Sequence, residues 1–171
     1  MVPFLRFGFA TALLTAAPLL AQLSPAAKTS ITVAGKTIRI DYSAPSMRGR
    51  KIFGGLEPYG RVWRAGANSA TALHTDANLD IGGLSVPKGD YTLFVNLANP
   101  ASWELIVNKQ TGQSGLEYDA KQDLGRVKMT MSKPPAMVEQ MKFTLSSAGG
   151  NKARLELAWE DHVASVMLTV K

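Results

Sequence analysis

Arginine, aromatic and small residues are concentrated in one segment of the chain, residues 43–71. The segment carries five cations and three aromatic side chains. Guanidinium groups bind anions through a planar fork of donors, and they also stack on aromatic rings. The segment therefore predicts either a ligand-binding site or a loop that arginine pins internally. The predicted ligand-binding residues are Arg50, Tyr59, Trp63, Arg64 and Asn68.

The two histidines suggest a second kind of chemistry, metal binding. His74 and Asp76 are two residues apart in a strand-like run, which predicts both side chains on one face of a sheet. His162 follows two acidic residues in a predicted hairpin turn. A transition-metal site needs three or four converging donors, and spacing alone does not bring these together. We therefore predict no metal, and any site would use His74, Asp76 and His162.

The sequence assigns no catalytic residue. Ser43 and Ser69 lie outside the Gly-x-Ser-x-Gly turn of hydrolases, and phosphate-binding glycine loops are absent. A glycosidase needs two facing carboxylates, and Glu57, Glu104 and Glu117 are not selected for that role by their spacing. The sequence therefore favours a protein that is not an enzyme and that uses no cofactor.

Period-two alternation of apolar and polar residues recurs along the chain and predicts short strands. Glycine- and proline-rich turns separate the runs, while only residues 45–53 and 135–140 suggest short helical turns. This pattern predicts an all-β fold, a single antiparallel β-sandwich, jelly-roll-like, of about eight to ten strands. Residues 43–71 are predicted to form one long ordered loop. The predicted strands are 31–33, 38–42, 71–75, 79–81, 91–97, 103–107, 127–131, 141–145, 155–159 and 166–170.

The first residues predict export. Arg6 precedes an apolar run over residues 7–20, which is the length of a signal-peptide core. We expect a cleaved signal at 1–21, a linker at 22–29, a β-sandwich domain at 30–171, and a periplasmic or secreted location without a stable membrane anchor. The chain has no cysteine, which excludes disulfides and thiolate chemistry. The formal net charge is +6, and the positive residues are scattered along the chain. This distribution predicts no nucleic-acid partner.

Long motifs in this sequence resemble a bacterial exported family catalogued as domain of unknown function 2911. The family pattern includes Tyr-Ser-x-Pro, Gly-Arg-x-Ile-Phe-Gly, Pro-Tyr-Gly-x-Val-Trp-Arg-x-Gly-Ala-Asn and Pro-x-Gly-x-Tyr-x-Leu-Phe. These motifs fall at residues 42–45, 49–54, 58–68 and 87–94. The family often has Glu after the Gly-Ala-Asn, where this chain has Ser69. The resemblance implies an exported β domain and supplies no activity.

The residues and the resemblance together predict a non-catalytic periplasmic or secreted binding module. Its ligand would be a small polar or anionic molecule or a glycan. Two alternatives stay open from the sequence: an envelope hydrolase or metal-dependent enzyme, and a structural domain that acts through protein contacts. The oligomeric state is not readable from the residues.

Overall fold

The computed structural model of the chain describes residues 23–171, and the predicted signal segment, residues 1–21, lies outside them. The described part contains thirteen strands and a single turn of 3₁₀ helix at Ala120–Gln122. The strands are β1 (Ala26–Val33), β2 (Lys36–Ser43), β3 (Arg61–Trp63), β4 (Thr71–Thr75), β5 (Leu79–Ile81), β6 (Leu84–Val86), β7 (Gly89–Asn99), β8 (Ser102–Asn108), β9 (Asp123–Lys128), β10 (Thr130–Ser132), β11 (Val138–Ser147), β12 (Lys152–Glu160) and β13 (His162–Val170).

The strands pair antiparallel in two sheets. The first sheet has the order β1-β2-β4-β7-β8-β9, and the second has the order β11-β12-β13-β5-β6. Alternation explains why they pack together: in β2, Ile38 and Ile40 are buried while Arg39 between them is exposed. The buried side chains of the two sheets form one core. The all-β, sandwich-like prediction is thus confirmed.

The two longest central strands each carry two short strands end to end along one edge. In the first sheet, β4 pairs with the first half of β7 and β3 with the second half, while β8 occupies the opposite edge. In the second sheet, β5 and β10 share one edge of β13, and β12 lies along the other. The chain between β3 and β4 therefore leaves the sheet and returns to the same edge, which gives residues 64–70 their irregular path.

Three sequence-based expectations need correction. Residues 45–53 and 135–140 are not helical. Part of each stretch pairs with the other where the segment 43–71 meets β11. Met47 N donates to Glu139 O at 2.9 Å, and Ser46 forms an antiparallel β-bridge with Gln140. Thirteen strands replace the expected eight to ten, since β3 and β6 are only three residues long and the run 127–131 divides between two sheets. Finally, β1 begins at Ala26, so part of the predicted linker belongs to the first sheet.

Within residues 23–171, no helix has the length and apolar character needed to cross a bilayer.

Candidate functional site

A cavity of about 580 Å³ lies at one end of the sandwich. Three connections meet the segment 43–71 there: the β7–β8 turn, the stretch from β10 towards β11, and the β12–β13 turn. We call this space the end cavity. Its size falls within the range of about 300–1,000 Å³ that is usual for small-molecule pockets.

One wall of the end cavity is apolar. Met131 and Met137 supply flexible thioether side chains, and the lining also includes Phe53, which is itself buried. Met137 is 64 % exposed, which is unusual for so large an apolar side chain and leaves it available to a ligand. This wall suits the apolar face of a ring.

Polar groups also line the end cavity. The hydroxyl of Tyr59 lies 3.5 Å from His162 Nε2 in a long hydrogen bond. The other ring nitrogen, Nδ1, is 2.7 Å from Asp161 Oδ1, but the carboxylate is out of line with the ring N–H direction and no hydrogen bond forms. Lys51 and Lys133 add cations to the lining, and Lys133 Nζ lies 3.9 Å from Asp161 Oδ2. The cavity therefore offers both donors and acceptors.

Aromatic packing fixes the orientation of the His162 ring. It stacks on Trp103 with centroids 5.3 Å apart and planes 7° from parallel, and it meets Phe53 edge-on at 5.0 Å. Burial, followed by the charges of Glu160 and Asp161, raises the pKa of Tyr59. Tyr59 consequently stays a neutral phenol at physiological pH and can donate a hydrogen bond.

Glu160 anchors the segment 43–71 to this end of the second sheet. Its two carboxylate oxygens each accept a backbone N–H at 3.0 Å, from Ile52 and from Phe53. The side chain is nearly buried, with 7 % of the residue exposed. Paired acceptance of this kind satisfies two buried donors that the irregular backbone would otherwise leave without partners.

A smaller cleft of about 180 Å³ lies on the outer face of the first sheet, against β3. Glu57 and Arg64 line it, and the connection from β8 to β9 passes beside it. Arg64 Nε donates to Gly66 O at 3.1 Å. Gly115 is required beside Arg64, because a Cβ there would lie 2.8 Å from Arg64 Cδ.

The five predicted binding residues do not share one cavity. Tyr59 lines the end cavity and Arg64 the smaller cleft. Arg50 donates to the carbonyl oxygens of Met47 and Ser46, both at 2.9 Å, and so holds its own loop. Ligand binding by these residues stays a prediction.

Trp63 and Asn68 also have structural contacts. Trp63 is 3 % exposed and stacks on Trp159 with ring centroids 5.8 Å apart. Asn68 adopts a φ of 58° and donates to Ser24 O at 3.1 Å, which ties the β3–β4 connection to the chain before β1.

The histidines occupy separate clusters. His74 contacts Asp90 at 2.7 Å and Asp76 at 3.1 Å, and Asp76 shares its sheet face as the alternation predicts. His162 lies in the end cavity instead, where Glu160, Asp161 and His162 hold ligand atoms within 4.8 Å of one another. Glu160 already uses both oxygens on backbone donors. The three residues named for a metal site thus do not converge.

The sequence profile of the family described as protein of unknown function DUF2911 matches residues 24–168. The chain belongs to the DUF2911 family. No curated protein and no solved structure matches it.

Sequence reasoning on this DUF2911 member missed the combination of Lys51, Asp161 and His162 with Tyr59. Asp161 and His162 follow Glu160 in a turn that reads as an ordinary hairpin connection. The sequence did contain one signal for this site, the succession of Glu160, Asp161 and His162 after a buried strand. Their encounter with Tyr59, about a hundred residues earlier in the chain, depends on pairing that the local pattern does not contain.

Proposed function

We propose that this DUF2911 protein is a non-catalytic binding module that holds a small polar ligand in the end cavity. Among small polar ligands, a sugar ring fits the cavity best. One observation carries the proposal: a cavity of about 580 Å³ combines an apolar wall with a cluster of donors and acceptors. Ligand sites commonly combine apolar lining with a few placed polar groups.

The charges in the cavity favour a polyhydroxylated ligand over a simple anion. Lys51 and Lys133 are offset by Glu160 and Asp161, so the formal charge of these four groups is balanced. Sugar hydroxyl groups both donate and accept hydrogen bonds, which suits Asp161 as an acceptor and Tyr59 as a donor. The apolar face of a sugar ring would rest on Met131 and Met137.

Isothermal titration calorimetry tests the assignment with neutral and acidic mono- and disaccharides, and with citrate and inorganic phosphate as simple anions. We expect saturable binding of a saccharide and about tenfold weaker binding by Asp161→Asn, because a hydrogen bond to a charged group contributes about 1.5–3 kcal/mol. Lys36→Ala, at the exposed start of β2, is the control and should bind like the unmodified protein. Absence of heat with every probe, or equal affinity of Asp161→Asn, would contradict the proposal.

We place this activity outside the cytoplasm. The support is the sequence itself, in which a positive residue precedes an apolar run and then small residues. Mass spectrometry of the protein isolated from its host should give a mature N-terminus at Gln22. A chain that retains residues 1–21 in the cytoplasmic fraction would refute this placement.

A further inference from the structure

The smaller cleft beside β3, which we call the Arg64 cleft, holds two opposite charges on fixed supports. Arg64 is positioned by its Nε hydrogen bond to Gly66 O and by the close approach of Gly115 to its stem. Glu57 is positioned by its backbone, since its N–H donates to Ile52 O and its carbonyl accepts from Gly54 N, both at 2.9 Å. The backbone of Glu57 and the Nε of Arg64 are thus held in place.

The two charged groups line the same cleft without pairing. In the part of the chain that the structure describes, Glu57 and Arg64 form no direct ion pair, and the terminal guanidinium nitrogens of Arg64 have no hydrogen-bond partner. Burial raises the pKa of Glu57, and the charge of Arg64 opposes that shift. The Glu57 carboxylate and the Arg64 guanidinium are thus both left with hydrogen-bonding capacity that a ligand could use.

Apolar groups complete the cleft. Val62 projects from β3 on the outer face of the sheet, and Phe94 contributes from β7. Tyr118 packs on Phe94 with ring centroids 4.8 Å apart, while its hydroxyl donates to Asp123. Leu116 covers the opening and is 80 % exposed, an unusual position for a large apolar side chain.

We infer that the Arg64 cleft binds a small zwitterion, a free α-amino acid with an apolar side chain. The ligand carboxylate would accept hydrogen bonds from the Arg64 guanidinium, the ligand ammonium would pair with Glu57, and the side chain would lie against Val62 and Leu116. A volume of about 180 Å³ suits a ligand of this size and is too small for an oligosaccharide.

Charge complementarity selects this class of ligand over its simpler relatives. An acid without an ammonium would bring a second negative charge towards Glu57, and an amine without a carboxylate would bring a positive charge towards Arg64. Unfavourable like-charge contacts reject partners more strongly than favourable contacts attract them. The zwitterion meets both protein charges with their opposites.

Calorimetry with leucine, methionine and phenylalanine tests the inference, followed by the decarboxylated amine and the deaminated acid of whichever binds most tightly. We expect the amino acid to bind at least tenfold more tightly than either analogue. Glu57→Gln should reduce the protein's preference for the amino acid over the deaminated acid to nearly one. Arg64→Gln should likewise reduce the protein's preference for the amino acid over the amine to nearly one. Gln is chosen because its shorter side chain keeps part of the stem beneath Gly115.

Two controls separate this site from the end cavity. Lys36→Ala should leave all affinities unchanged, and Asp161→Asn should leave amino-acid binding unchanged while it weakens saccharide binding. The inference is overturned if none of the three amino acids binds at millimolar concentration, or if the amine and the acid bind as tightly as the amino acid. Unchanged selectivity in folded Glu57→Gln and Arg64→Gln would also overturn it.

Discussion

At the scale of single residues, Glu160 links the irregular segment 43–71 to the second sheet. It adopts a φ of 54°, a left-handed conformation that costs energy for a residue with a Cβ. This conformation occurs at the residue whose carboxylate accepts from both Ile52 and Phe53. Glu160 thereby fixes the backbone that carries Phe53 into the end cavity.

Replacing Glu160 by Gln tests this role. The amide retains one accepting oxygen but presents an NH₂ group to a backbone donor, so one buried N–H loses its partner. We expect a loss of about 1–3 kcal/mol in the free energy of unfolding, measured by urea denaturation. Glu117→Gln, in the exposed β8–β9 connection, is the matched control and should change stability little. Equal stability of the two variants would show that Glu160 does not anchor the segment.

At the scale of elements, His74 joins three strands of the first sheet. It projects from β4 between Asp90 of β7 and Asp76, and Asp76 Oδ2 accepts from Thr37 N of β2 at 3.3 Å. Hydrogen bonds to Asp90 and then Asp76 raise the pKa of His74, while the bond from His74 lowers that of Asp76. Arg39, opposite His74 on β2, is engaged by Asp41.

These pKa shifts predict how stability depends on pH. Protonated His74 contributes fully below its unfolded pKa of about 6.5, and this contribution is lost as pH rises through its raised folded pKa. The contribution of Asp76 is present above its unfolded pKa and is lost as pH falls through its lowered folded pKa. Urea unfolding from pH 3 to 9 should show the destabilisation caused by His74→Gln to be larger at pH 5 than at pH 9.

The His74 effect should be modest and should shrink at high salt, because the side chains are exposed to solvent and their charges are screened. Lys36→Ala again provides a matched surface control. If the pH profiles of stability for the unmodified protein and His74→Gln run parallel, Asp76 and Asp90 do not stabilise the fold through His74.

At the scale of the whole molecule, alternation in the sequence predicts most strands but not their partners. The run around Ile38 and Ile40 is found as β2, for example. Local patterns could not reveal β3, because Arg61–Trp63 is short and embedded in a glycine-rich segment. Residues 45–53 and 135–140 look helical when read alone. In the fold, residues 45–47 pair with residues 139–141, and most of the remainder of both stretches forms turns, bends and irregular chain.

The candidate sites, like the strands, could be predicted only in part from local patterns. Tyr59 and Arg64 could be singled out because arginine and aromatic residues are dense around them. Their division between two cavities could not be predicted, because it depends on the pairing of β3, which lies between them in the chain, with β7. His162 joined the end cavity only through the β12–β13 turn, whose position is set by long-range packing.

The sharing of one β13 edge by β5 and β10 has a consequence for the order of folding. Leu168 pairs with Ile81, so the hairpin formed by β5 and β6 must wait for a strand much later in the chain. Closing such long loops is slow, and Leu79, Ile81 and Val86 stay uncovered meanwhile. Until β13 is available, this hairpin therefore exposes an apolar strand edge that can self-associate.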